Sequence, residues 1–396
     1  MRIAIISDWF SESMGYAENC LPKALASLGH EVHLVTSDAQ VYFESPLYGK
    51  MYEPYLGPAI VRCVTKKADG YTLHRLPHAK WRGRFRIRGM TGLLSYLKPQ
   101  VVQTFDTHSQ TTVETALAKP LIGYKLFTAN HAVASVFPYI KTYGTLHWRE
   151  KFFWLRHAAW PGRLANLFSD KCFPATVDAE DIAVRFMGIS KRKSVVIPLG
   201  VDTDLFHPVQ DEDSRRERAA LRNEHGFADT DIVCLYTGRF AEDKVPLCLA
   251  RAIDLLAGQS RPYRGLFVGN GPQDERIRAC RGCVVHQFIP FTELPPYYRA
   301  ADIGVWPTQE STSMLDAAAS GIPIVVSDRL LARERVVGNG LQYRQGDEQD
   351  LARALSELSD SRLRQQLGQA GTLKMQRDFS WIKMAQRRLE YYQPRP

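Results

Sequence analysis

Short apolar runs, each followed by a helical pattern, recur along the chain in two separate series, and few folds can accommodate that. In the first half Ile3–Ile6 reads as a buried strand. Ala17–Leu28 carries apolar residues at helical spacing and stops at Gly29, and Val32–Val35 is the next strand. Val101-Val102, after Pro99, and Tyr124–Phe127 continue the series. A second series starts near residue 230, with strand Ile232–Tyr236, helix Val245–Leu256 and strand Gly265–Val268. Val284-Val285, Ile303–Trp306 and Ile322–Val326 follow. Such alternation predicts a parallel sheet covered by helices on both faces, and the restart predicts two of them. The 396 residues suffice for two cores of roughly 150–200 residues each. The join falls between Pro198 and Pro208 and runs into the polar stretch Gln210–Arg218, which sets expected domains of 1–199 and 200–378. Ligands of open parallel sheets collect beyond the carboxyl ends of the strands. Two doubly wound domains facing each other therefore predict a cleft that holds the chemistry.

Composition narrows the class. No apolar run approaches the roughly 20 residues that span a bilayer. The strand-like Arg2–Ile6 opens the sequence without a charged-then-apolar leader, so no secretion signal is expected. Seven loosely spaced cysteines, with Cys234 and Cys248 in apolar contexts, suit a reducing cytoplasm. Cys280-Arg281-Gly282-Cys283 lacks a second ligand pair and reads as two thiols at a helix–strand junction; no metal site is expected. The net charge of +9 is lopsided: residues 1–200 hold 25 Lys/Arg against 15 Asp/Glu, and residues 201–396 hold 26 against 27. The first half should therefore face something anionic: nucleic acid, an anionic membrane surface or a phosphorylated acceptor.

Two segments carry the densest chemistry. In Tyr236-Thr237-Gly238-Arg239-Phe240-Ala241-Glu242-Asp243-Lys244 a buried strand ends, a glycine turns the chain and two cations follow, just ahead of a helix expected from Val245. Arg239 as a bidentate donor, Lys244 as a point charge and the helix start can together hold a diphosphate; two surface cations after a strand is the plain alternative. In the second segment, Pro307 to Pro323, a Ser/Thr-rich turn opens a helix of small residues that stops at Gly321. Amides at Ser311, Thr312, Ser313 and Met314 can meet phosphate. Asp316, one turn in, can reach a ribose diol, and Glu310 can face a sugar hydroxyl. The alternative is a capping serine and a solvated carboxylate.

These segments resemble the donor half of the family 4 retaining glycosyltransferases, also described as glycosyl transferases group 1. The family has a Gly-Arg…Lys element, matched by Gly238-Arg239…Lys244, and two Glu, the second followed by Ala-x-Ala-x-Gly. Asp316-Ala317-Ala318-Ala319-Ser320-Gly321 matches the latter with Asp for Glu, and Glu310 stands two positions closer to it than the family's first Glu. Val268-Gly269-Asn270-Gly271-Pro272 resembles the family's glycine turn. Phe288-Ile289-Pro290-Phe291 resembles the segment lining the nucleotide base, with Pro290 for the usual Gly. Val196–Asp202 resembles the interdomain crossing, and Phe379-Ser380-Trp381 the start of a final helix, about 379–396, that returns to the first domain.

The resemblance implies a GT-B architecture: two doubly wound Rossmann-like domains facing a central cleft, with the C-terminal helix crossing back. It implies transfer of a sugar from a nucleoside diphosphate with retention and without an obligatory metal. Uridine is favoured over guanosine on family frequency. Growing charge on the leaving diphosphate would be met by Arg239 and Lys244, Glu310 would orient the sugar, and a phosphate oxygen would help deprotonate the acceptor on the same face. In the first domain Gly15 would let backbone amides near the donor phosphates, and His131, after Thr128-Ala129-Asn130, would lie by the donor sugar. Asp106 and His108, after the strand Val101–Thr104, are candidates for acceptor or donor contact.

The acceptor side is the most unusual in composition. Lys80-Trp81-Arg82-Gly83-Arg84-Phe85-Arg86-Ile87-Arg88 is basic and aromatic, and Phe137 to Arg163 mixes Trp148, Arg149, Phe152, Phe153, Arg156 and Trp160. Cations with amphipathic aromatics suit a membrane-surface patch and a lipid-linked or phosphorylated glycan acceptor, with Arg82 and Arg84 as contacts. Alternatively Phe152 and Phe153 are helix core beneath a solvated basic face. No nucleic-acid reader motif is present. Rival readings are a nucleotide-sugar epimerase or phosphorylase of the same architecture, or a noncatalytic sugar-nucleotide-binding protein.

Overall fold

The computed structural model describes residues 1–81, 84–132, 147–308 and 311–393. It divides into one unit of Met1–Leu199 with Trp381–Pro396 and another of Gly200–Ser380.

The first unit holds strands β1 (Arg2–Ser7), β2 (Glu31–Ser37), β3 (Thr65–Ala68), β4 (Tyr71–Leu76), β5 (His78–Trp81), β6 (Arg84–Ile87), β7 (Val101–Thr104), β8 (Lys125–Asn130) and β9 (Lys171–Pro174). Seven of them form a sheet in the order β3-β4-β2-β1-β7-β8-β9, while β5 and β6 make a separate hairpin. Side chains alternate across a strand, so β1 feeds two cores. Ile3 and Ile5 join Leu21 and Leu25 of helix Ala17–Ser27, and Ala4 and Ile6 join Met90 and Leu94 of helix Met90–Leu97. The final helix, Trp381–Tyr392, completes the first of these cores with Trp381, Met384, Ala385 and Tyr392.

The second unit holds β10 (Ile232–Thr237), β11 (Tyr263–Val268), β12 (Cys283–His286), β13 (Ile303–Trp306), β14 (Ile324–Ser327) and β15 (Gly340–Tyr343), in the order β12-β11-β10-β13-β14-β15. All five pairings are parallel. Continuous burial along β10, β13 and β14 is what a sheet covered on both faces requires.

Several expectations need correction. The first sheet is not wholly parallel: β3 runs antiparallel to β4. The hairpin between them turns at Asp69 and Gly70, both with positive φ (43° and 84°). The helix expected from Val245 starts at Pro246, with Val245 left-handed at φ 49°. The last helix starts at Trp381 rather than 379, after a π-helical turn over Met375–Phe379.

Phe152 and Phe153 are not helix core: they are 55% and 57% exposed. Their helix runs unbroken from Trp148 to Phe168 through a π-helical turn at Leu155–Ala159. Small residues, Ala158, Ala159, Pro161, Gly162 and Ala165, form its buried side. A Cβ on Gly162 would lie 1.7 Å from the Met187 carbonyl oxygen, so the contact is backbone against backbone and leaves no room for an aromatic. No helix among the described residues is long and apolar enough to cross a membrane.

Candidate functional site

Each sheet has one place where the strand order reverses, and there the connections leave in opposite directions and open a crevice at the carboxyl ends. In the second unit this is between β10 and β13. A pocket occupies it, lined by Tyr236, Thr237, Gly238, Arg239, Lys244, Trp306, Pro307, Thr308 and Ser311. Its walls are tied by side chains. The Tyr236 hydroxyl donates to the Arg239 carbonyl at 2.9 Å, and Trp306 Nε1 donates to the Thr237 carbonyl at 3.3 Å. The Thr308 hydroxyl donates to the Asp243 carbonyl at 3.1 Å, and the Tyr343 hydroxyl to the Pro307 carbonyl at 2.7 Å. Both cations lie by one carboxylate: Asp243 Oδ2 is 3.5 Å from Arg239 Nη2 and 4.0 Å from Lys244 Nζ.

At the neighbouring helix start two positions offer an anion no amide. Pro246 has no N–H, and the Val245 amide donates to the Ala241 carbonyl at 3.1 Å. Arg239 and Lys244 are the cations that line this pocket. At the other wall the Ser313 amide reaches Ser311 Oγ (3.3 Å), and the Met314 amide the Ser311 carbonyl (3.3 Å). Met314 itself is fully buried in the core. Asp316 is buried on the helix Ser313–Ala319; burial, then Asp202, push its carboxyl well above the usual carboxylate range.

Gly269 and Gly271 serve the pocket from behind. A Cβ on Gly269 would lie 1.9 Å from the Gly238 carbonyl oxygen, and one on Gly271 2.7 Å from that of Phe240. The two turns are also hydrogen-bonded, Gly238 N–H to the Val268 carbonyl (3.0 Å) and Phe240 N–H to the Asn270 carbonyl (2.9 Å). These glycines permit the close approach that shapes the Arg239 loop. Ile289 and Pro290 follow the edge strand β12; Pro290 precedes a short 3-10 turn, Phe291–Glu293.

In the first unit the order reverses between β1 and β7. A cavity of about 190 Å³ lies there, and its lining includes Asp8, Trp9, Glu18, Asp106, Ser109, Thr111 and His131. Burial outweighs the pull of the Thr111 hydroxyl and pushes the Asp8 carboxyl up to about 7. Burial likewise raises Glu18 to about 7. Asp106 goes the other way. Burial favours its neutral form, but the His108 ring at 2.8 Å and the amides of His108 (2.6 Å) and Ser109 (3.2 Å) hold it at about 2. Burial, then Arg388, lower His131 to about 4 despite Asp106, so its imidazole is neutral near pH 7. Arg84 donates to the His108 carbonyl at 2.8 Å, so Arg84, Asp106 and His108 form one cluster.

Asp8 and Glu18 escaped the sequence reading. Asp8 is the first residue after the central strand, and that position was the available signal. Gly15 lies just before the Ala17–Ser27 helix. Glu310 and Arg82 lie outside the described residues.

Residues 21–205 match the family model described as Glycosyltransferase Family 4, and residues 231–361 match Glycosyl transferases group 1. The chain belongs to the family 4 glycosyltransferases. Among its relatives is the D-inositol 3-phosphate glycosyltransferase of Geodermatophilus obscurus, 30% identical over 238 residues, covering 54% of this chain and 50% of that one. Another is a GDP-mannose-dependent monoacylated alpha-(1-6)-phosphatidylinositol monomannoside mannosyltransferase of Corynebacterium glutamicum, 26% identical over 217 residues, 50% of this chain and 56% of that one. The matches span about half the length of these curated relatives. The fold of this family 4 member is GT-B. It superimposes on the sucrose-phosphate synthase of Thermosynechococcus elongatus with a TM-score of 0.69, at 18% identity, over 99% of this chain and 98% of that one.

Proposed function

We propose that this chain transfers a sugar from a nucleoside diphosphate sugar to a hydroxyl of a glycan, lipid-linked or phosphorylated acceptor, with retention at the anomeric carbon. The observation that carries the reading is the pocket between β10 and β13, where Arg239 and Lys244 meet at a strand-order reversal. Two cations on a braced loop suit a diphosphate whose charge grows as the sugar leaves. Asp316 serves the ribose, Ile289 and Pro290 the base, and Glu310 the sugar.

The cavity beside β1 suits sugar hydroxyls. Asp8, Glu18 and Asp106 line it with no Lys or Arg among its described lining residues, a charge pattern that repels phosphate. Carboxyls titrating near 7 both donate to and accept from hydroxyl groups. A neutral His131 can do the same without acting as a strong acid. A phosphorylated or lipid-linked acceptor accords with the relatives' names and with the basic balance of residues 1–200.

The test is a thermal-shift panel of uridine and guanosine diphosphates and their sugars, with Arg239→Ala and Lys244→Ala alongside. Stabilisation by one diphosphate series, lost in both variants, is expected; the corresponding sugar donor then enters an acceptor screen with the product anomer read by NMR. Absence of any nucleotide effect at millimolar concentration, or product of inverted configuration, would overturn the corresponding part. Conversion of donor without acceptor would favour an epimerase.

A further inference from the structure

The helix Trp148–Phe168 has a buried side of small residues and an exposed side of aromatics and arginines. Its inner side is seated by backbone contact: Gly162 lies against the Met187 carbonyl, and Gly188 against that of Ala159. Trp154 Nε1 donates to the Phe186 carbonyl at 2.8 Å. The outer side follows Arg149, Phe153, Arg156, Trp160, Arg163 and Leu167, all exposed. Their steps of four, three, four, three and four residues keep them on one face. The helix's 21 residues make that face about 30 Å long.

We propose that this face docks the chain flat on an anionic lipid bilayer. Three features select a bilayer over another occupant. Aromatics and arginines alternate, so each ring that enters the headgroup layer has a guanidinium beside it for a lipid phosphate. The one acid in this helix, Glu150, is turned back to cap it, accepting from the His147 amide at 2.9 Å. The large rings, at 55–65% exposure (Trp148, Phe152, Phe153, Trp160), suit insertion to a shallow depth. This docking is independent of which sugar is transferred.

The test is flotation of the full chain with phosphatidylcholine vesicles, with and without phosphatidylglycerol. Binding only to the anionic vesicles, and falling with salt, is the expected result. Phe152→Ser with Phe153→Ser should weaken it by about tenfold or more, and Arg149→Glu with Arg156→Glu and Arg163→Glu should abolish it. Unchanged unfolding temperatures would show that the exposed substitutions leave the fold intact. Failure to float with anionic vesicles at low salt, or equal flotation of the variants, would overturn the proposal. So would a dimer in solution that the Phe152→Ser/Phe153→Ser variant dissociates. Nucleotide stabilisation, read on the same samples, is untouched by either result, so the donor site stands or falls separately.

Discussion

Arg239 Nη2 lies 3.5 Å from Asp243 Oδ2, on the loop that lines the pocket beyond β10. The carboxylate partly neutralises the cation assigned to the donor phosphates and competes with them for it.

Removing that competitor should therefore tighten binding. Asp243→Asn is expected to raise nucleoside diphosphate affinity several-fold, while Arg239→Ala lowers it about 10–100-fold, the worth of a charge-assisted hydrogen bond. Isothermal calorimetry on the two variants decides. Equal weakening by both would mean that Asp243 organises the loop rather than competing in it.

The glycine turn behind the pocket sets a stability prediction. Gly269→Ala would place a Cβ 1.9 Å from the Gly238 carbonyl oxygen in a loop that cannot retreat without losing its hydrogen bonds. A loss of about 3 kcal/mol or more is expected from the urea midpoint. Gly123→Ala is the control, because Gly123 caps a helix in the left-handed conformation (φ 92°, ψ 26°) with open space around its Cβ position. It should cost only the roughly 1–2 kcal/mol of a left-handed backbone.

A third prediction concerns pH. His33 Nδ1 and His74 Nε2 meet at 2.9 Å between β2 and β4, both rings buried, and Thr65 lies 3.1 Å from His74 Nδ1. Burial, then His33 and Lys67, lower His74 from 6.5 to about 4. The unfolded chain therefore binds this proton before the folded one. The stability contribution is complete above pH 6.5 and erodes as pH falls toward 4, by about 2 kcal/mol between pH 7 and pH 5. Asp8, Glu18 and His131 titrate in the same window, so the slope is read as the difference between the denaturant midpoints of the native chain and of His74→Gln across pH 5–7. A His74→Gln variant that keeps the full slope would locate it elsewhere.

Legibility in the sequence followed physical cause. The central strands of both sheets, β1 and β10, are apolar between their ends, so their position and the two layers could be read directly. The hairpin of β3 and β4 could not, because Thr65-Lys66-Lys67 is polar and β4 buries His74 and Arg75. Its Asp69-Gly70 turn was nonetheless a local signal. Arg239 and Lys244 were visible because a strand, a turn and two cations lie consecutively. Asp8 and Glu18 were not, since what unites them with Asp106 and His131 is a strand order that no local window contains. For Phe152 and Phe153 the sequence left two readings open, for another reason. Periodicity gives a helix two faces but does not say which is inside, and here a glycine contact reserved the inside for small side chains.

The last helix bears on how the protein is made. Trp381, Met384, Ala385 and Tyr392 belong to the same core as Ile3, Phe10 and Phe127, so that core waits for residues made after the whole Gly200–Ser380 unit. Domains usually acquire structure in the order they leave the ribosome. Here the unit Gly200–Ser380 can close around its own core while the earlier one still lacks part of its interior. A chain stopped after Ser380 should show this directly, with protease resistance confined to the later unit. During translation the strands of the first sheet are thus a client for chaperones until the Trp381–Tyr392 helix emerges.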